Sequence, residues 1–113
     1  MVEQPPGLNT VFRALSDPTR RGMLEALRVR ECSIVELAKP FEMSLAGAAK
    51  HVQVLDRAGL ITRRKQGRTQ YCCVNMDALG EAHRWLSEYT RLWNSRLDKL
   101  EEILRTEREA END

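Results

Sequence analysis

Between residues 43 and 74 the chain carries Lys50, Arg57, Arg63, Arg64, Lys65 and Arg68 against Asp56 alone, a local net charge of +5 in a chain whose total is +1. Lysine and arginine at that density draw in a polyanion, and their contacts to phosphate supply affinity for nucleic acid whatever its sequence. The balance reverses further on, where residues 81–113 hold six basic and nine acidic side chains. Catalytic chemistry has little to work with. There are only two histidines, no serine, histidine and acid set stands out, and no glycine-rich phosphate loop is present. The chain is therefore not expected to be an enzyme. The three cysteines form no disulfide framework. A soft metal needs several converging thiolates, which Cys32 alone cannot supply. Cys72 and Cys73 are neighbours on a strand-like run, so their side chains point to opposite faces and do not readily share a metal. Structural use is the leading reading of that pair, and a thiol switch at the outward one is the alternative.

The basic side chains need elements to hold them. Ser33 followed by Glu36 is a capping box, and Ile34, Leu37 and Ala38 make an apolar stripe that Pro40 brings to an end. Ser44 caps a second helix, with Leu45, Ala48, Ala49, Val52 and Leu55 expected on one face and Gly59 closing it. Capped helix, short turn, capped helix is a helix-turn-helix over residues 33–60, whose second helix can enter a DNA major groove. Leu60-Ile61-Thr62 and Tyr71-Cys72-Cys73-Val74 are strand-like and flank a basic stretch containing Gly67, which predicts a β-hairpin over residues 61–74. Upstream, Leu8, Val11, Phe12 and Leu15 recur at helical spacing over residues 8–16. Asp17-Pro18 then starts another helix, with aspartate at the cap and proline at the first helical position. Arg20 and Arg21 follow that cap and read mainly as surface charges or partners of nearby acids, with a phosphate contact by one of them as the functional alternative.

The segments Ala14-Leu15-Ser16-Asp17-Pro18-Thr19-Arg20-Arg21, Val35-Glu36-Leu37-Ala38, Ser44 with His51-Val52-Gln53-Val54-Leu55, Ala58-Gly59-Leu60-Ile61, and Gly67-Arg68 with Tyr71 together resemble the ArsR/SmtB family of bacterial repressors. The resemblance runs from about residue 11 to residue 75 in the family's order and spacing. It implies a winged helix-turn-helix regulator, dimeric, without a cofactor. Metal-sensing members commonly carry two cysteines in the helix that here reads Ile34 to Ala38, and neither is present. Other members place acid and histidine pairs on the last helix, where this chain has only His83. The resemblance therefore points to the non-metal subset, with no metal site and an inducer that the sequence does not name.

The expected fold is mainly α with a small β-hairpin, in the order α-α-α-α-β-β-α, as a single domain over residues 1–113. Candidate DNA-binding residues on the second helix are Ser44, Leu45, Ala46, Gly47, Lys50, His51 and Gln53. Lys50 suits guanine acceptors or a phosphate, and Gln53 suits adenine or the backbone. The stretch Leu45 to Ala49 has almost no polar side chains, so phosphate contacts and DNA shape are expected to supply much of the affinity. His51 reads as a packing or phosphate-contact residue. On the wing the candidates are Arg63, Arg64, Lys65, Arg68 and Thr69, with Arg64 and Arg68 both expected on phosphate.

From Asp77 the pattern is one long helix, residues 77–105, with a polar tail from Thr106 expected to fray. Leu79, Leu86, Trp93 and Leu100 recur every seven residues, with Tyr89 and Leu97 beside them. Such a helix is too long for so small a domain to cover. A second copy is the expected partner, with Leu8, Val11, Phe12 and Leu15 of the first helix joining the interface. The leading expectation is a homodimeric repressor on a pseudo-palindromic DNA operator. The alternatives are a winged-helix interaction module without DNA binding and a thiol-redox repressor using Cys72 and Cys73. No apolar run approaches the ~20 residues that span a membrane, and the N-terminus shows no apolar signal segment, so the cytoplasm is the expected compartment.

Overall fold

The computed structural model describes residues 7–112. Contacts divide the chain into one compact unit ending at Ala82 and a second beginning at His83. In the first, α1 (Leu8–Leu15), α2 (Pro18–Val29), β1 (Cys32–Ser33), α3 (Ile34–Ala38), a 3-10 turn (Lys39–Phe41), α4 (Leu45–Arg57), β2 (Ile61–Gln66) and β3 (Thr69–Val74) follow in order. The last helix, α5 (Met76–Glu111), begins in this unit.

The starts of α2, α3 and α4 are fixed locally. The Asp17 side chain accepts from the Arg20 amide at 3.0 Å, with Pro18 at the first helical position. Ser33 and Glu36 form the reciprocal capping box, at 3.2 Å from the Glu36 amide to Ser33 Oγ and 3.1 Å from the Ser33 amide to Glu36 Oε1. Ser44 Oγ accepts from the Gly47 amide at 3.0 Å. α4 ends where Gly59 adopts φ +74°, letting the Leu60 amide reach back to the Leu55 carbonyl at 3.0 Å.

These elements close over a core in which Val11, Met23, Leu37, Val52, Leu55, Leu60 and Cys72 are fully buried. Ile61 and Ala82 join it, and Leu8, Phe12, Leu15, Ala78 and Leu79 pack against it half-buried. Leu55 lies at its centre on the back of α4, so Leu55→Ala is expected to cost about 2–5 kcal/mol of unfolding free energy. Urea denaturation of the variant beside the parent measures that loss.

The structure departs from the sequence reading in five places. A third strand is present: Cys32 pairs with Cys72 and Ser33 with Tyr71, giving sheet order β1-β3-β2. The wing strands run to Gln66 and Thr69, leaving a two-residue turn at Gly67-Arg68. Gly67 takes φ +65° and Arg68 does not take a positive φ, the pattern of a type II′ hairpin turn. Arg63, Arg64 and Lys65 therefore sit on a strand and not in a loose tip. Leu45, placed by periodicity on the core face, is 55% exposed, because as the first helical residue it lies beyond the packed part of α4. Val11, assigned to a partner interface, is 1% exposed and belongs to the core of its own unit. Finally, the tail does not fray at Thr106. Glu, Arg and Ala are strong helix formers, Thr106 Oγ1 bonds the Glu102 carbonyl at 3.0 Å, and α5 continues to Glu111.

The second unit is the remainder of α5, from His83. Along it Trp85, Leu86, Tyr89, Leu92, Trp93, Leu97, Leu100, Ile103 and Leu104 are all between 43% and 60% exposed. The Trp85 and Tyr89 rings stack at 4.9 Å between centroids. Of the residues assigned to the interface on this helix, Leu86, Tyr89, Trp93, Leu97 and Leu100 lie in this unit, whereas Leu79 packs on the core of the first. No helix among the described residues is long and apolar enough to cross a membrane.

Candidate nucleic-acid interface

α4 buries Ala48, Val52 and Leu55 and turns Ser44, Leu45, Ala46, Lys50 and Gln53 to solvent, with Gly47, Ala49 and His51 half-buried between the two faces. Between its cap and Val54 the exposed face of the helix thus offers one polar and one cationic side chain, Gln53 and Lys50, and its last turn adds Asp56 and Arg57. Among the described residues Lys50 has no ion-pair partner.

His51 is anchored by a residue distant in the chain. Arg20 Nη1 lies 3.3 Å from His51 Nδ1, while its Nε donates to the Ala14 carbonyl at 2.7 Å and its Nη2 to the Arg13 carbonyl at 3.1 Å. Arg20 is therefore a bolt from the end of α1 to α4 and not a surface charge. Asp17 Oδ2, which caps α2, is 4.0 Å from the same ring nitrogen. The Arg20 amide beside it holds the Asp17 carboxyl below its ordinary range.

On the wing, pleating sorts the cations by face. Arg63 and Lys65 share a face with Gln70 and Cys72, and Arg64 shares the other with Tyr71 and Cys73. Arg63 Nε is tied back to Asp56 of α4 at 3.4 Å. Arg64 is held by Glu31, with Nε 3.2 Å from Oε2, and its Nη1 donates to Gln66 Oε1 at 2.9 Å. Its guanidinium lies 5.3 Å from the centroid of the Tyr71 ring. Lys65, Arg68 and Thr69 are exposed, and neither Lys65 nor Arg68 has an ion-pair partner among the described residues. Arg64 and Arg68, both expected on phosphate, thus differ: Arg64 is paired and Arg68 is not. Charge alone could not reveal that Glu31, on another element, already neutralises one of them.

Between wing and helices runs a groove of ≈ 670 Å³, lined by Ser33, Ile34, Val35, Leu45 and Ala49 on one side and Arg68 to Tyr71 on the other. Val35 and Leu45 are each 55% exposed there. Its helix side is mostly apolar, and its wing side is polar with Arg68 as its cation, which suits a base edge with a thymine methyl beneath a phosphate.

The cysteines sort as the strand alternation requires. Cys72 is fully buried and Cys73 half-buried on the opposite face. Cys73 Sγ donates to Glu31 Oε2 at 3.3 Å, and that bond to a carboxylate pushes the thiol up from its ordinary range. Burial does the same for Cys32 and Cys72. The thiolate is the reactive form, so none of the three is activated for a redox role. Alkylation of Cys73 by iodoacetamide is expected to begin only at a pH above that of an ordinary cysteine. In Glu31→Gln the acceptor loses its charge, the thiol pKa falls, and labelling at pH about 8.5 accelerates. Mass spectrometry of labelled peptides across a pH series reads both rates.

A family profile described as "Helix-turn-helix domain" matches residues 15–64. The transcriptional repressor SdpR of Bacillus subtilis (strain 168) is 29% identical over 82 residues, covering 73% of this chain and 91% of that protein. Among solved structures, an ArsR family transcriptional regulator shares 40% identity at a TM-score of 0.72, over 84% of this chain and 98% of its own. An ArsR-like transcriptional regulator from Rhodococcus sp. RHA1 shares 32% identity at a TM-score of 0.67, over 85% and 91% respectively.

Proposed function

This chain belongs to the ArsR family of winged helix-turn-helix DNA-binding transcriptional regulators, and from that premise we propose that it acts in the cytoplasm as a homodimeric repressor on a pseudo-palindromic operator. In this reading α4 enters the major groove, presents Ser44, Leu45, Ala46, Gly47 and Gln53 to base edges, and sets Lys50 against a phosphate. The wing lays Lys65, Arg68 and Thr69 along the phosphates. Occupied promoter DNA is closed to polymerase.

The observation that carries the reading is the pairing pattern. Of the six basic residues on α4 and the wing, Arg63 and Arg64 are paired with Asp56 and Glu31, while Lys50, Arg57, Lys65 and Arg68 have no ion-pair partner among the described residues, and Arg68 stands beside the groove that Leu45 and Ala49 line. Cations left unpaired at a concave surface are what counterion release on DNA requires. The homodimer is supported by the second unit, where eight large apolar side chains, Leu86, Tyr89, Leu92, Trp93, Leu97, Leu100, Ile103 and Leu104, stand 43–60% exposed along one helix. A two-fold partner would place a second α4 one DNA turn away.

Nuclease footprinting of the DNA upstream of the chain's own gene tests this. Two protected half-sites are expected, spaced by about 10–10.5 base pairs or a multiple, with protection lost as salt rises. A single isolated footprint would refute the dimer, and salt-independent or absent protection would refute the DNA reading. The latter result would favour an interaction module built on exposed Val35 and Leu45.

A further inference from the structure

Arg20 joins three elements and ends on a histidine of the reading helix, which fixes more than position. A guanidinium has donors only and keeps its proton at any working pH. In the 3.3 Å contact of Arg20 Nη1 with His51 Nδ1, the ring nitrogen must therefore be the acceptor. Asp17 Oδ2, at 4.0 Å, is too far to accept a proton from that nitrogen. The neutral ring then carries its proton on Nε2. No side-chain nitrogen or oxygen among the described residues is both buried and without a partner. Nε2 makes no hydrogen bond within the described residues, so it is open to solvent on a side chain that is 27% exposed. An N–H aimed outward from α4, beside exposed Lys50, is a donor placed where a DNA backbone passes.

We propose that Arg20 fixes His51 in the Nε2–H tautomer, and that this N–H donates to a DNA phosphate when α4 is in the groove. Arg20 is then a positioning residue that acts through His51, and Asp17 supports it by capping the helix that carries it. The proposal rests on the DNA-binding reading above. The donor is neutral, so it adds affinity without releasing a counterion, unlike Lys50 or Arg68.

The test measures fluorescence anisotropy of a short labelled duplex of mixed sequence over a salt series, above the ordinary histidine range of about 6.5. His51→Ala is expected to bind about tenfold more weakly, with the slope against salt unchanged. His51→Gln sets its amide nitrogen near the place of Nε2 and should bind within about threefold of the parent. His51→Asn reaches only as far as Nδ1 and should be as weak as the alanine variant. Arg20→Ala should match His51→Ala, and the double variant should lose no more than either, as residues acting through one contact do. Nitrogen-15 NMR of the free protein should show the proton on Nε2. A glutamine variant as weak as alanine, an alanine variant as tight as the parent, or a proton on Nδ1 overturns the proposal. Where a melting curve shows Arg20→Ala unfolded, the glutamine and asparagine pair and the NMR tautomer decide. A parent protein without salt-dependent DNA binding overturns this proposal and the DNA reading together, whereas a parent that binds with His51→Ala unchanged overturns this one alone.

Discussion

Replacing Trp93 and Leu97 together by glutamate is expected to yield a chain that sediments as a monomer and binds operator DNA about 10²–10⁴-fold more weakly. Both side chains belong to the exposed apolar stripe of the second unit, at 60% and 43% exposure, and neither belongs to the core that closes over Leu55 and Met23. The substitutions therefore leave folding of the first unit intact. In a two-fold dimer each occurs twice, beside Asp98 and Glu101 of the same helix, so carboxylates crowd where apolar area should pair. A single reading head keeps its own contacts but loses the second, which the dimer held at high effective concentration. Sedimentation velocity reads the assembly, anisotropy reads the affinity, and circular dichroism checks the fold. Persistence of the dimer would move the interface elsewhere. A monomer with full affinity would remove the reason for one.

What was legible in the sequence was local. The caps at Asp17, Ser33 and Ser44 each bond a residue three positions on, within the reach of a short pattern. Gly59 and Gly67 mark their turns because positive φ excludes most other residues. The missed features are long-range. Arg20 and His51 lie 31 residues apart, and Arg64 and Glu31 lie 33 apart. No spacing rule links such pairs, so Arg20 had no foreseeable partner and Arg64 was assigned too free a role. β1 escaped because two residues, Cys32 and Ser33, are too few to show alternation, and only β3 makes them a strand. Val11 shows a different limit. Periodicity finds an apolar face but does not tell a face that meets its own core from one that awaits a partner.

That sorting of the cations leads to the second large effect. Lys50→Ala with Arg68→Ala is expected to flatten the dependence of log affinity on log salt by about 2 per reading head, near 0.9 for each phosphate contact removed, and to weaken binding at low salt by at least about tenfold. Arg64 carries the same formal charge, yet Glu31 accepts from two of its nitrogens and Tyr71 covers its face. Removing that pair together, as Arg64→Ala with Glu31→Gln, takes one cation and one anion from the wing and should leave the salt slope near the parent's. Glu31→Gln alone frees Arg64 for phosphate and should steepen the slope by about 0.9 while tightening binding. The sign follows from charge: Glu31 is held in its ionised form by Arg64, its carboxyl lying below the ordinary range, so at neutral pH the pair is neutral as seen from DNA. The four proteins, parent and three variants, measured over one salt series separate the two roles. If the Arg64 and Glu31 double variant flattened the slope by about 0.9 per reading head, half the effect of the Lys50 and Arg68 variant, Arg64 would leave Glu31 for phosphate on binding. Glu31 would then be the resting partner of a side chain that moves to the DNA.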